Sequence, residues 1–218
     1  MTDQTNIIPS PTTALREVRE LDAELGSAKG LALLSAAALD ERLQKVRDRD
    51  GLRLFLHEYC DRVLVPVELP VIQAAHAHAT CGHAQELIEL DQRLTREFPN
   101  VSFLMASQLI GRIQLRKLRP LRGQKMVRRY LEAVRHGDAK GWHTVVYGMV
   151  LALHSIPLRQ GLVHYGSQTF DGFINAASDR IPMTVPQSHE LYDELCGRLP
   201  AAVHQVLEKA FPNGLKVV

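Results

Sequence analysis

His76, His78, Cys81 and His83 fall within eight consecutive residues, and their imidazole and thiolate groups suit nickel, zinc or copper. On a helix, residues two apart point about 200° from each other, so His76 and His78 cannot share an ion without unwinding. His78 and Cys81, three apart, lie on one face. Structural zinc sites take four ligands, at spacings that this run does not match. The candidate ligands are therefore His78, Cys81 and His83, and the plainer reading is a solvated helix end.

A second chemical signal is charge. Nine Lys or Arg residues and one acid, Glu132, lie between Arg112 and Arg135. Helical spacing puts Arg112, Arg116 and Arg119 on one face, and Arg122, Lys125 and Arg129 on the next. Such faces attract acidic proteins or phosphate backbones. Only Tyr130 interleaves with the basic residues, so stacking platforms for single strands are absent. That favours a solvated face or an acidic protein partner over nucleic acid.

Bond-making constellations do not emerge. The chain has no GxSxG elbow, P-loop, GxGxxG after a strand or HExxH. His143, His154 and His164 have no nucleophile or carboxylate at a telling interval, and Cys196 reads as a small core residue. The expectation is a protein without catalysis and without a cofactor.

The elements that must position these residues read as helices throughout. No window alternates with a period of two, and aromatics are only 6% of the chain. Pro11 and Leu31 open two helices, and Asp50 caps a third through Leu52, Phe55, Leu56, Tyr59 and Val63. Pro66 and Pro70 are expected to break that helix and begin the next. Leu87, Leu90, Asp91 and Leu94 mark an amphipathic helix, and Pro120 follows the one after it. Met126 to Val134 define a further helix, and Pro186 and Pro200 open two short ones. Between these, Val145 to Leu153 is apolar on every side, as a buried helix is. At nine residues it falls far short of the roughly 20 that cross a bilayer. Gly111, Gly148 and Gly172 sit inside helices, where glycine costs about 1 kcal/mol against alanine. Close helix approach, within the fold or with a partner, would offset that.

The fold expected is all-α: a single domain, bundle-like, of about ten helices over residues 14–212, with tails at 1–13 and 213–218. Three scattered cysteines suggest reduced thiols and a cytoplasmic protein. Residues 1–13 carry no apolar run of the secretory kind.

In their order, several segments resemble the UreF-type urease accessory proteins. Leu87 to Leu94 (LIELDQRL), Ala106-Ser107 and Gly111-Arg112 are similar to the family's LxxLDxxL followed by AS…GR. Gly141, His143, Tyr147 and Gly148 resemble its GxHxxx[FY]G segment. Ser167-Gln168, Ile174 to Ala177 and Ile181 to Gln187 resemble its small-residue helix and Pro-containing exit. The likeness runs from about Leu52 to Leu199. Three features depart from the pattern: residues 14–50 lack the N-terminal signature, the exit is longer and carries a second proline at Pro186, and the aromatic or Arg positions near Val163 to Gly166 are shifted or lost.

The resemblance implies a non-catalytic scaffold that dimerises and binds a UreD/UreH-type accessory protein. It further implies recruitment of a UreG-type GTPase and delivery of nickel to apo-urease. The partner-binding positions it implies are Gly111, Arg112, Arg116, His143, Tyr147, Gly148, Gln168, Asn175 and Gln187, with Tyr147 and Gly148 read as core. Two alternatives stay open: a basic nucleic-acid-binding module using residues 112–135, and a small metal-binding chaperone using the His76–His83 cluster.

Overall fold

The computed structural model describes residues 46–97, 101–118, 121, 123–178 and 180–209, with the backbone alone at 101–105 and 117. The two tails and the helices expected before Val46 lie outside the described residues, as do Arg119 and Arg122. Within them the chain is helical, with no strand, and forms one domain. No described helix is long and apolar enough to cross a membrane.

The first rod is made of α1 (Arg49–Tyr59), a π-helical stretch (Cys60–Glu68) and α2 (Leu69–Thr80). Asp48 caps it, its carboxylate accepting from the Gly51 N–H at 2.8 Å. After it come α3 (Ala84–Glu97), α4 (Val101–Lys117), α5 (Lys125–His136), α6 (His143–Leu153), α7 (Leu158–Ser178) and α8 (Val185–Lys209).

Two proline readings are corrected. Pro66 does not break the first rod. A proline clashes with the carbonyl four residues back in an α-helix, and the chain answers by widening to i→i+5 bonding, with Leu69 N–H donating to Leu64 O. Pro200 likewise sits inside one long helix, on its exposed side, where the expectation was two short helices. The described residues therefore make seven continuous rods where about ten helices were expected for the whole chain: two of those lie before Val46, outside the described residues, and Pro66 and Pro200 each deformed a helix without ending it.

The centre of the fold is the pair α2 and α6, which pack face to face. Residues 143–151 of α6 are all buried. Gly148 makes this approach possible: a Cβ there would lie 2.5 Å from the Ile72 carbonyl oxygen and 2.7 Å from the Ala75 Cβ. Burial of Val145, Val146, Met149, Val150 and Leu151 is worth roughly 1.5–3 kcal/mol per side chain before entropy is counted. A second pair, α7 and α8, packs beside the first. Rings of α1 meet α7 through Phe55–Phe173 (5.5 Å) and Tyr59–Phe173 (4.7 Å).

Candidate functional site

Three helices converge on the loop that enters α6. Helix α3 supplies Asp91, whose fully buried carboxylate accepts N–H groups from Lys140 (2.6 Å), Gly141 (3.0 Å) and Trp142 (2.9 Å). From α5, the Tyr130 hydroxyl donates to the same carboxylate at 2.9 Å. Ser107 Oγ of α4 accepts the His143 N–H at 3.0 Å, and Trp142 Nε1 donates to Thr95 Oγ1 at 2.9 Å. The first N–H groups of a helix have no partner within it. Here other helices provide those partners, and a carboxylate also suits the positive end of the helix dipole. Burial raises the Asp91 pKa above the usual value, opposed by these donors. Gly141 turns with φ +76°, and any side chain on Gly111 would overlap its carbonyl oxygen. Asp91, Ser107, Gly111, Gly141 and His143, far apart in sequence, thus form one clamp.

A second polar group lies deeper. Glu68, only 4% exposed, ends the π stretch and accepts from the Tyr59 hydroxyl at 2.9 Å through Oε2. Its other oxygen has no hydrogen-bond partner. The Tyr165 hydroxyl of α7, also without a well-formed bond, lies near enough to favour the ionised carboxylate. Burial outweighs both tyrosines and pushes the Glu68 carboxyl up to about 7. The Tyr165 ring sits 5.0 Å from Tyr147 and 5.5 Å from His143. Burial drives the His143 imidazole down to about 3, so it is neutral. Tyr147 donates to the Gly161 carbonyl at 3.0 Å. This is a polar seam inside the core.

The sequence-based candidates divide sharply by exposure. Gly111, His143, Tyr147 and Gly148 are buried, whereas Arg112, Arg116 and Asn175 face outward and Gln168 is half-buried. Gln187 caps α8: its Oε1 accepts the Thr184 N–H at 2.8 Å while its own N–H lies 3.4 Å from Thr184 Oγ1, a capping box. In the His76–His83 run, His78 is buried and Cys81 and His83 are exposed. The His78 and His83 rings lie 6.4 Å apart, and burial lowers the His76 and His78 pKa values. Among the described residues, no three His, Cys, Asp or Glu side chains stand where they could hold a metal ion.

Sequence reasoning missed Glu68, Tyr59 and Tyr165 as a group. The one available signal was an acid inside the apolar run VLVPVELPVI.

Both polar groups are buried. What the arrangement achieves chemically is to fix backbone and helix registry, leaving exposed Arg112, Arg116 and Asn175 available to other molecules. Residues 46–184, which include the clamp and the seam, match the family model described as UreF. No curated protein matches the chain.

Proposed function

This chain belongs to the UreF family of urease accessory proteins, and from that premise we propose that it acts as a scaffold, binding partners that carry out the metal chemistry. The partners proposed are a UreD/UreH-type accessory protein, a UreG-type GTPase and apo-urease, with the scaffold itself a homodimer in the cytoplasm. Nickel would pass through the assembled complex as cargo.

The observation that carries this reading is where the motif residues lie. Asp91, Ser107, Gly111, Gly141 and His143, all within segments that resemble the family pattern, are engaged in holding the entry to α6 in place. The same helices keep charged groups on the outside. Arg112 and Arg116 stand one turn apart on α4, exposed and without an ion-pair partner among the described residues. Leu109 and Ile113, 51% and 41% exposed, lie on the same face. Arginine is enriched at protein interfaces, and the charge of this face favours an acidic partner. Gln168 and Asn175 on α7 are proposed as a second contact region. Gating a GTPase would require different affinities for its nucleotide states, because equal affinity shifts nothing.

The test is co-purification of the full chain with the UreD-type and UreG-type proteins at low salt. A complex that Arg112→Glu with Arg116→Glu weakens at least about tenfold, with the variant still folded, supports the reading. No complex with either protein refutes the scaffold role. A complex indifferent to the charge reversal removes this face from it.

A further inference from the structure

Helix α4 packs on α6, and its inward side carries the buried residues Ile110, Gln114 and Leu115. The outward side is uncovered among the described residues. Leu54, Leu109, Ile113 and Val185 are the large aliphatic side chains exposed there, and only Leu109 and Ile113 stand one turn apart on a helix. At about 100° per residue, Arg112 and Arg116 lie about 60° and 20° to one side of Leu109, and Ile113 about 40° to the other. The face is therefore an aliphatic pair with an arginine edge, and neither arginine has an ion-pair partner among the described residues.

The chain carries a segment of matching pattern and opposite charge. Residues 14–25, which lie outside the described residues, read ALREVRELDAEL, four acids against two arginines. At helical spacing Val18, Leu21 and Leu25 fall within about 60° of arc. Glu17, Glu20 and Glu24 lie together along one edge of that stripe, and Arg16 and Arg19 on its far side. The glutamate edge and the arginine edge stand on the same angular side of their aliphatic stripes. Two such edges meet when the helices run antiparallel, as flanking positions of the same kind do in an antiparallel coiled coil. Reach is sufficient. Residues 26–45 join the segment to Val46. With residues 31–45 helical, as their apolar spacing predicts, that join spans roughly 40 Å, about the diameter of a compact domain of this size. Tethering at such a length gives an effective concentration of about 1 mM, so a contact too weak to hold separate molecules is still largely closed within one chain.

We propose that residues 14–25 dock antiparallel on the outward face of α4. Val18, Leu21 and Leu25 cover Leu109 and Ile113, while Glu17, Glu20 and Glu24 pair with Arg112 and Arg116. The protein on its own thereby shields its arginine face. An acidic partner using that face must displace the segment; this consequence rests on the partner reading above, whereas the docking itself does not.

Amide hydrogen exchange of the full chain, read by mass spectrometry, tests the docking with no partner present. Exchange over residues 14–25 should be at least about threefold slower in the parent than in the variant Arg112→Glu with Arg116→Glu. Reversing Glu17, Glu20 and Glu24 to arginine should speed it equally. Combining the two sets of reversals should restore slow exchange. Arg112 and Arg116 are exposed, and slow exchange of the buried α6 segment in the same digests verifies that each variant is folded. Equal exchange in the parent and the arginine variant would overturn the proposal. So would a combined variant that stays fast, because the two edges would then not be paired. Protection that disappears on about hundredfold dilution would also overturn it, since the occupant would be a second copy of the chain. The outcome is independent of co-purification: the chain can protect this segment and bind neither accessory protein, or bind both with the segment unprotected.

Discussion

Replacing Glu68 by Gln tests how strongly burial perturbs this carboxyl. Glu68 titrates at about 7 in the fold against a usual value of 4.5. Between those values the native state holds a proton that the unfolded chain has released, so stability falls as pH rises. The stabilising contribution is full below the unfolded value and is lost by the time pH passes the folded one. A separation of about 2.5 pH units, at about 1.4 kcal/mol each, gives about 3 kcal/mol. Glutamine keeps an acceptor for Tyr59 and never ionises, so it should match the wild type near pH 4.5 and exceed it by about 3 kcal/mol above about pH 7.5. His143 must be treated as well. Its imidazole is held down to about 3 from 6.5, so it contributes stability that grows from about pH 3 to 6.5, the opposite sign. In the wild-type profile the two slopes therefore oppose each other between about pH 4.5 and 6.5, and only the difference between variant and parent isolates Glu68. The assay is urea unfolding followed by far-UV circular dichroism at several pH values. A difference constant to within about 0.5 kcal/mol across the range would refute the reasoning, and would mean that water or local opening solvates the carboxylate.

Three further substitutions probe the same framework. Asp91→Ala strands three backbone N–H groups and the Tyr130 hydroxyl; it should cost about 3–5 kcal/mol in urea unfolding, or abolish folding. Gly148→Ala places a methyl 2.5 Å from the Ile72 carbonyl oxygen. It should therefore destabilise by about 1–3 kcal/mol, where an ordinary helical glycine would gain stability from the same change. Gln187→Ala removes half of the α8 capping box and should cost about 1 kcal/mol, read as a lower midpoint with an unchanged denaturant slope.

The helical class and most helix boundaries were legible because apolar spacing is a local property. Val145 to Leu153 announced its burial by being apolar on every side, and α3 announced its inner face through Leu87, Leu90, Asp91 and Leu94. The prolines misled because their effect depends on what surrounds them. Pro66 lies where a buried stripe of period four rewards a wider helix, and Pro200 lies on a solvent face. In both places deformation costs less than termination. Asp91 was visible as a residue on the inner face of a helix, but its role was not, since the three N–H groups it accepts come from residues about fifty positions later in the chain.

The same distinction explains why fold was easier to read than function. Gly111, His143 and Gly148 stand out as a pattern because each meets a strict steric or hydrogen-bonding demand: a carbonyl in the way, a helix N-terminus to satisfy, a neighbouring backbone at contact distance. Those demands are internal and buried. A surface such as Leu109, Arg112, Ile113 and Arg116 meets no such demand among the described residues; it leaves aliphatic area and two cations in water. Nothing within the chain therefore marks such residues out by spacing. The residues Gly111, His143 and Gly148, which carry much of the family resemblance, are thus ones that build the fold.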